Sequence, residues 1–176
     1  MIYIVRHGQT DWNVENKFQG QSNIDINDKG INQAKETKEK LKDIKFEKIY
    51  SSPLNRAKTT AEIINSGEII LDDRLKERYN GALEGKDKSI YKGKINFYLL
   101  EENEYGIEPF SEYKKRIYDF FDEILASYNG ENILIVTHSV VSVIIRCYFE
   151  GEPKNNDYDS YKLGNAEVIK YKKGGK

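Results

Sequence analysis

Tyr3-Ile4-Val5-Arg6-His7-Gly8-Gln9-Thr10-Asp11-Trp12-Asn13 begins as a short apolar run and stops at an arginine, a histidine and a glycine. This is the pattern of a buried strand that delivers its last side chains to the edge of a sheet. In open α/β sheets ligands bind beyond the C-terminal strand ends, and a glycine there lets backbone approach another group closely. Arg6 beside the histidine points to an anion, because a guanidinium offers charge-assisted donors. The chain has two histidines, and the second, His138, follows the apolar run Ile133-Leu134-Ile135-Val136-Thr137 in the same way. Two strand ends that each deliver a histidine predict one shared crevice.

A chain of 176 residues fits a single domain, here taken as 1–176. Its 28 basic and 29 acidic residues nearly cancel, so no field over the whole molecule is tuned for nucleic acid or an anionic membrane, and neither is expected as a partner. Any attraction to anions has to be local. The single cysteine, Cys147, excludes an internal disulfide and reads as a small core hydrophobe; without a Cys/His cluster no metal is expected. The N-terminus lacks a signal-peptide pattern, and the apolar run from Val140 to Ile145 is too short to span a bilayer. A soluble, cytoplasmic protein is the expectation. Composition carries no signal for an oligomeric state.

Working outward, residues 8–27 read as a long loop over the strand ends, and long loops in compact domains are usually functional. Helical spacing of Ile31, Ala34, Lys38 and Leu41 behind Asn27 and Asp28 predicts a helix to about residue 43. Phe46–Tyr50 predicts a strand. Ser52-Pro53 reads as a helix start, serine as the cap and proline at the first position, with the helix running to about Asn65. Ile69–Leu71 predicts a third strand, followed by a loop carrying Arg74, Glu77, Arg78 and Glu84. Residues 86–107, mixed in charge, are expected to form a weak helix and a small cap. Phe110, Tyr113, Ile117, Phe120, Phe121, Ile124 and Tyr128 mark a strong amphipathic helix. The strand to Thr137, a helix from Val140 to Phe149 and a last strand from Ala166 to Tyr171 complete the chain. Strands alternating with helices predict an α/β fold, a three-layer αβα sandwich around a mostly parallel sheet.

In that topology Arg6 and His7, Ser51 to Arg56, the loop with Glu77, and His138 all fall at C-terminal strand ends. If they converge, two arginines and a helix N-terminus surround a histidine, which makes a phosphate pocket. A neutral imidazole there can attack phosphorus, flanking arginines disfavour its protonation, and Glu77 would protonate the departing oxygen. Each residue alone has a plainer reading. A histidine after a strand is often a structural group, Arg6 and Arg56 could be surface ion-pair partners, and Glu77 could be a solvated loop residue. Asn13 and Gln19 look like turn formers, and Lys86 to Lys94 like a solvated face.

The combination discriminates. Arg6-His7-Gly8-Gln9-Thr10 with Trp12-Asn13, Gln19-Gly20, Ser51-Ser52-Pro53-Leu54 with Arg56-Ala57 and Thr60-Ala61, Leu75-Lys76-Glu77 with Gly81 and Glu84-Gly85, and His138 together closely resemble the histidine phosphatase superfamily. That group contains the cofactor-dependent phosphoglycerate mutases and related small phosphatases. The likeness runs from Ile2 to about Ile169 and includes Gly164-Asn165-Ala166. It implies that His7 is the phosphorylated nucleophile, that Arg6, Arg56 and His138 bind the phosphoryl group, and that Glu77 is the proton donor. Asn13 and Gln19 would be further oxygen-binding donors, with Gly8, Gly20 and Ser139 completing the substrate-binding set, and no metal or other cofactor would be used.

Two positions depart from the family pattern. Ser139 replaces the usual glycine after the second histidine, where its side chain would either narrow the pocket or cap the next helix. Glu108-Pro109 stands where Gly-Glu-Ser is common. The stretch between Glu77 and His138 is also shorter than in the mutases. A metal-independent phosphomonoesterase acting on a small phosphorylated metabolite through a phosphohistidine is therefore expected. Sugar phosphates, phosphoglycerates, a nucleotide-loop phosphate of cobalamin synthesis and phosphoproteins are the substrate candidates. A phosphoglycerate mutase is the nearest alternative. A non-catalytic phospho-ligand binder is the alternative of another class, disfavoured because binding needs no acid beside a nucleophile.

Overall fold

The computed structural model describes residues 1–172. Five strands form one sheet: β1 (Ile2–Arg6), β2 (Lys48–Ser51), β3 (Ile70–Leu71), β4 (Ile133–Thr137) and β5 (Val168–Tyr171), in the order β3-β2-β4-β1-β5. All pairs are parallel except β1 with β5. The helices are α1 (Asp11–Val14), α2 (Asp28–Leu41), α3 (Asn55–Ile64), α4 (Phe110–Ala126) and α5 (Ser139–Glu150).

The central strand β4 has no polar alternation because both of its faces are covered, and all five of its residues are buried. Ile133 and Ile135 join Ile2, Ile4 and the inner faces of α4 and α5, where Tyr113, Ile117, Phe120, Phe121, Val141, Ile144 and Ile145 lie. Leu134 and Val136 face the other way, onto Leu41 of α2 and Ala57, Ala61 and Ile64 of α3. The expected three-layer αβα sandwich results. Parallel register places Arg6 opposite Thr137 and Ser51 opposite Val136, so β1, β4 and β2 end at one level. The His7 N–H donates to the Thr137 carbonyl at 2.9 Å and the Ser52 N–H to that of Val136 at 3.1 Å, carrying the alignment one residue past the strands.

Three expectations change. The loop over the strand ends contains the short helix α1, which Thr10 opens with a capping box closed by Asn13. The helix expected from Ser52-Pro53 starts at Asn55 instead. Ser52 Oγ accepts from the Leu54 N–H at 3.3 Å in a tight turn, and the Asn23 side chain caps the helix from outside, accepting from the Asn55 N–H at 2.8 Å. Residues 86–107 contain no α-helix, only a 3-10 turn at Lys88–Tyr91. Asp87 caps that turn through the Ser89 N–H at 2.8 Å, and Gly93, at φ 75°, lies just beyond its end. The segment is anchored by side chains: Phe97 and Tyr91 pack on Phe18, with ring centroids 5.1 and 6.0 Å apart, while Ile90 and Leu99 stay exposed. No helix among the described residues is long and apolar enough to cross a membrane.

Candidate active site

His7 and His138 meet at the ends of β1 and β4 with ring centroids 5.2 Å apart, and both are buried. His7 Nδ1 lies 2.7 Å from the Gly8 carbonyl oxygen. A carbonyl can only accept, so Nδ1 carries the hydrogen and Nε2 keeps a free lone pair. His138 Nε2 lies 2.8 Å from Ser52 Oγ. Ser52, expected to cap a helix, is thus tied to the second histidine. Burial holds both imidazoles well below their ordinary pKa, and Arg56 and Arg6 push further in the same direction.

Arg56 is fully buried and Arg6 partly so, and backbone carbonyls hold both. Arg56 donates to the carbonyls of Gly20 at 2.6 Å and Ser22 at 2.8 Å, and Arg6 to that of Leu163 at 2.7 Å. Neither forms a salt bridge among the described residues. The reading of these arginines as surface ion-pair partners therefore fails, since backbone dipoles orient them and the carboxylates that attract them, Glu77 for both, act without a direct ion pair. Burial lowers the Arg56 pKa to about 10, which still leaves the group charged at neutral pH. Among the described residues the buried side-chain polar atoms without a protein partner are Arg6 Nε, Arg56 Nε, Gln19 Oε1 and His138 Nδ1. All four belong to residues expected to bind substrate, and such atoms are costly to bury unless something else meets them.

Glu77 is nearly buried, and donors meet both its oxygens. Oε1 accepts from the Tyr113 hydroxyl at 2.8 Å and the Arg78 N–H at 3.0 Å; Oε2 accepts from the Val140 N–H in the first turn of α5 at 3.2 Å. It is not the solvated loop residue of the plainer reading. Asn13 Oδ1 is taken by Thr10 and by Asn165 Nδ2 at 3.2 Å, so its Nδ2–H groups are what it can offer a ligand. Ser139 is half-buried and opens α5 without capping it, since His138 holds the cap position and no side-chain cap is made.

The two glycines are explained by packing. A Cβ at Gly8 would lie 2.5 Å from the Gly30 carbonyl oxygen, so here the close approach is to α2. Gly20, at φ 52°, sits against Glu84, where a Cβ would come within 2.0 Å of Oε1. Glu84 accepts from the N–H groups of Gln21 at 2.8 Å and Asn80 at 3.1 Å and bonds the Ser22 hydroxyl, so it shapes the turn whose carbonyls aim Arg56.

Several positioning groups were not identified from the sequence alone. Arg116 donates to the carbonyls of Arg74 at 2.6 Å, Lys76 at 2.8 Å and Glu77 at 3.2 Å, and pairs with Glu108 at 2.7 Å. Asn165 and Ala166 donate to the backbone of His7 and Arg6 at 3.1 and 3.0 Å. Buried Arg78 donates to the carbonyls of Phe97, Leu100 at 2.8 Å and Glu108 at 2.7 Å. The sequence signals were slight: Glu84 and Gly164-Asn165-Ala166 looked familial without a role, and Arg116 is one charge among many on α4.

The family model described as the histidine phosphatase superfamily (branch 1) matches residues 2–176. The chain is 34% identical to the uncharacterized phosphatase PhoE of Bacillus subtilis over 94% of this chain and 84% of that protein. It is 30% identical to phosphoglycerate mutase-like protein 4 of Arabidopsis thaliana, over 99% and 81% respectively. Among solved structures, the phosphoserine phosphatase of Entamoeba histolytica in complex with 3-phosphoglyceric acid superposes with a TM-score of 0.80 at 28% identity, covering 95% of this chain and 87% of that one. The fold, the two strand-end histidines and the match along the chain lead to one conclusion: this protein belongs to the histidine phosphatase superfamily, branch 1.

Proposed function

We propose that the protein is a metal-independent phosphomonoesterase that acts on a small phosphorylated metabolite through a phosphohistidine at His7. The observation that carries this reading is the state of His7: its Nδ1 hydrogen is committed to Gly8, which leaves the Nε2 lone pair for attack, and two guanidiniums that form no direct ion pair among the described residues stand beside it. In the first half-reaction Nε2 forms a bond to phosphorus, the phosphorus–oxygen ester bond breaks, and Glu77 passes a proton to the departing oxygen. In the second, Glu77 takes a proton from water, the oxygen attacks phosphorus, and the phosphorus–nitrogen bond breaks to release phosphate.

Arg6 and Arg56 hold the charge that spreads over the phosphoryl oxygens, the role a metal ion fills elsewhere. His138 adds a donor at Nδ1 when the Ser52 hydroxyl donates into its Nε2. Asn13 and Gln19 supply amide hydrogens. Ser139 adds a hydroxyl beside His138, Gly8 and Gly20 let the backbone orient His7 and Arg56, and the unit is one domain with residues 86–107 as a small cap. The ligand of the Entamoeba structure, 3-phosphoglyceric acid, is a small phosphorylated acid and supports the substrate size.

The test is a phosphate-release screen over phosphomonoesters, including phosphoserine and phosphoglycerates, with a strong chelator and with His7→Ala. Expected are turnover of at least one substrate, an unchanged rate with chelator, an acid-labile phosphate on the wild-type protein, and no turnover by a folded His7→Ala. Activity retained by His7→Ala, or a rate lost to chelator and restored by magnesium, overturns the reading.

A further inference from the structure

Tyr113 was expected to be one apolar residue on the inner face of α4. Its ring is in the core, but its hydroxyl touches Glu77 Oε1 at 2.8 Å, and the Arg78 N–H donates to the same oxygen. Among the described residues Oε2 has a single donor, the Val140 N–H in the first turn of α5, just after His138. The two backbone groups can only donate, whereas a hydroxyl can donate or accept. Tyr113 is fully buried, and burial next to the Glu77 carboxyl raises its ionisation well above the ordinary tyrosine value, so it remains a neutral hydroxyl. The Arg116 guanidinium lies 4.7 Å over its ring while gripping the backbone that carries Glu77, which holds ring and carboxyl in one frame.

We propose that Tyr113 is a positioning residue for proton transfer: its hydroxyl, with the Arg78 N–H, occupies Oε1 and confines the transferable proton of Glu77 to Oε2, the oxygen that faces the first turn of α5. The proposal rests on Glu77 being the proton donor. A carboxylic acid has one hydrogen for two oxygens, and an oxygen that already accepts two hydrogens repels a third. The acid form is then Oε2–H, and Oε1 is left as acceptor. As that hydrogen moves to the departing oxygen, negative charge grows on the carboxyl, and the hydrogen bond from Tyr113 strengthens as it becomes charge-assisted. Tyr113→Phe keeps the ring and its packing but frees Oε1, so the proton divides between the two oxygens and the developing charge loses a donor.

The experiment measures kcat/KM, which reports the phosphorylation half-reaction, for one alkyl phosphate and one aryl phosphate, in the wild type, Tyr113→Phe and Glu77→Gln, with a melting curve for each. An alkyl leaving group needs the proton and an aryl one hardly does. Tyr113→Phe is expected to lower the alkyl value roughly ten-fold and leave the aryl value within about two-fold, while Glu77→Gln shows the same selectivity at roughly 10²-fold or more. Equal effects of Tyr113→Phe on both substrates, or none, beside a selective Glu77→Gln would overturn the proposal and leave Glu77 as the acid. A non-selective Glu77→Gln would remove both. If Tyr113→Phe does not fold, 3-fluorotyrosine at position 113 keeps the shape while changing the hydroxyl's acidity. The alkyl-to-aryl ratio should then move, and an unchanged ratio would overturn the proposal.

Discussion

At His7 and His138 burial and two neighbouring guanidiniums act in one direction, and this has a consequence for stability as well as chemistry. Both imidazoles are held neutral in the fold, with pKa values well below those of the unfolded chain. Below about pH 6.5 the unfolded chain takes up protons that the folded one refuses, so stability is complete above that pH and is lost as pH falls. Each histidine should contribute a slope of up to about 1.4 kcal/mol per pH unit there. The expected outcome is that His7→Gln removes about half of the stability lost between pH 6.5 and 5.5, measured by denaturant unfolding at both values; a slope equal to that of the wild type would show that His7 is protonated in the fold. The residues of this pocket were legible because arginine, histidine and glutamate at strand ends are chemically conspicuous. Tyr113 was not, because helical spacing shows which ring faces the core and says nothing about where its hydroxyl ends. Ser52 was misread for a related reason: a serine before a proline suits a helix cap and a tight turn equally, and the choice depends on Asn23, which is distant in sequence.

Among the elements, the residues just after β1 pack directly against the start of α2. Gly8 and Gly30 bring backbone against backbone, and a Cβ on Gly30 would lie 2.2 Å from the Gln9 carbonyl oxygen and 2.7 Å from its nitrogen. Two effects oppose each other in Gly30→Ala. Helix propensity favours alanine by about 1 kcal/mol. Overpacking against backbone that cannot rotate away costs about 1–3 kcal/mol, more than propensity returns, so the substitution should be destabilising. Thermal unfolding of Gly30→Ala decides the sign, and a raised melting temperature would mean that α2 can shift without cost. Strands and long helices were readable because continuous apolar runs and 3.6-residue spacing are local. Residues 86–107 were not, since Phe18 and Arg78, which hold them, act through tertiary contacts and leave no periodic trace.

For the whole molecule, with His7 phosphorylated as proposed, the open choice is what reaches the phosphohistidine first. A mutase has to keep water away while its intermediate turns over in the pocket, which calls for a cover that closes around the ligand. Residues 86–107, proposed above as a small cap, have a geometric reason to close poorly. Ile95, Phe97 and Leu100 pack on the cluster of Phe18, Leu83 and Ile107, and Tyr98 stacks on Tyr158 at 4.7 Å with its hydroxyl on Asp159 at 3.0 Å. These partly buried side chains fasten the segment in place, and those left over, Ile90 and Leu99, are 54% and 62% exposed. If this segment is the cap, its fastening and the exposed Lys86 and Lys92 make it a hydrated cover. Hydrolysis should outrun reorientation. With monophosphoglycerate and its bisphosphate primer the protein is expected to form little isomer, and with a preferred phosphomonoester it should release free phosphate. The ratio of isomerised product to released phosphate under identical conditions measures this. A ratio well above one would show that the anchored segment seals the site, and would place the chain with the mutases of its superfamily.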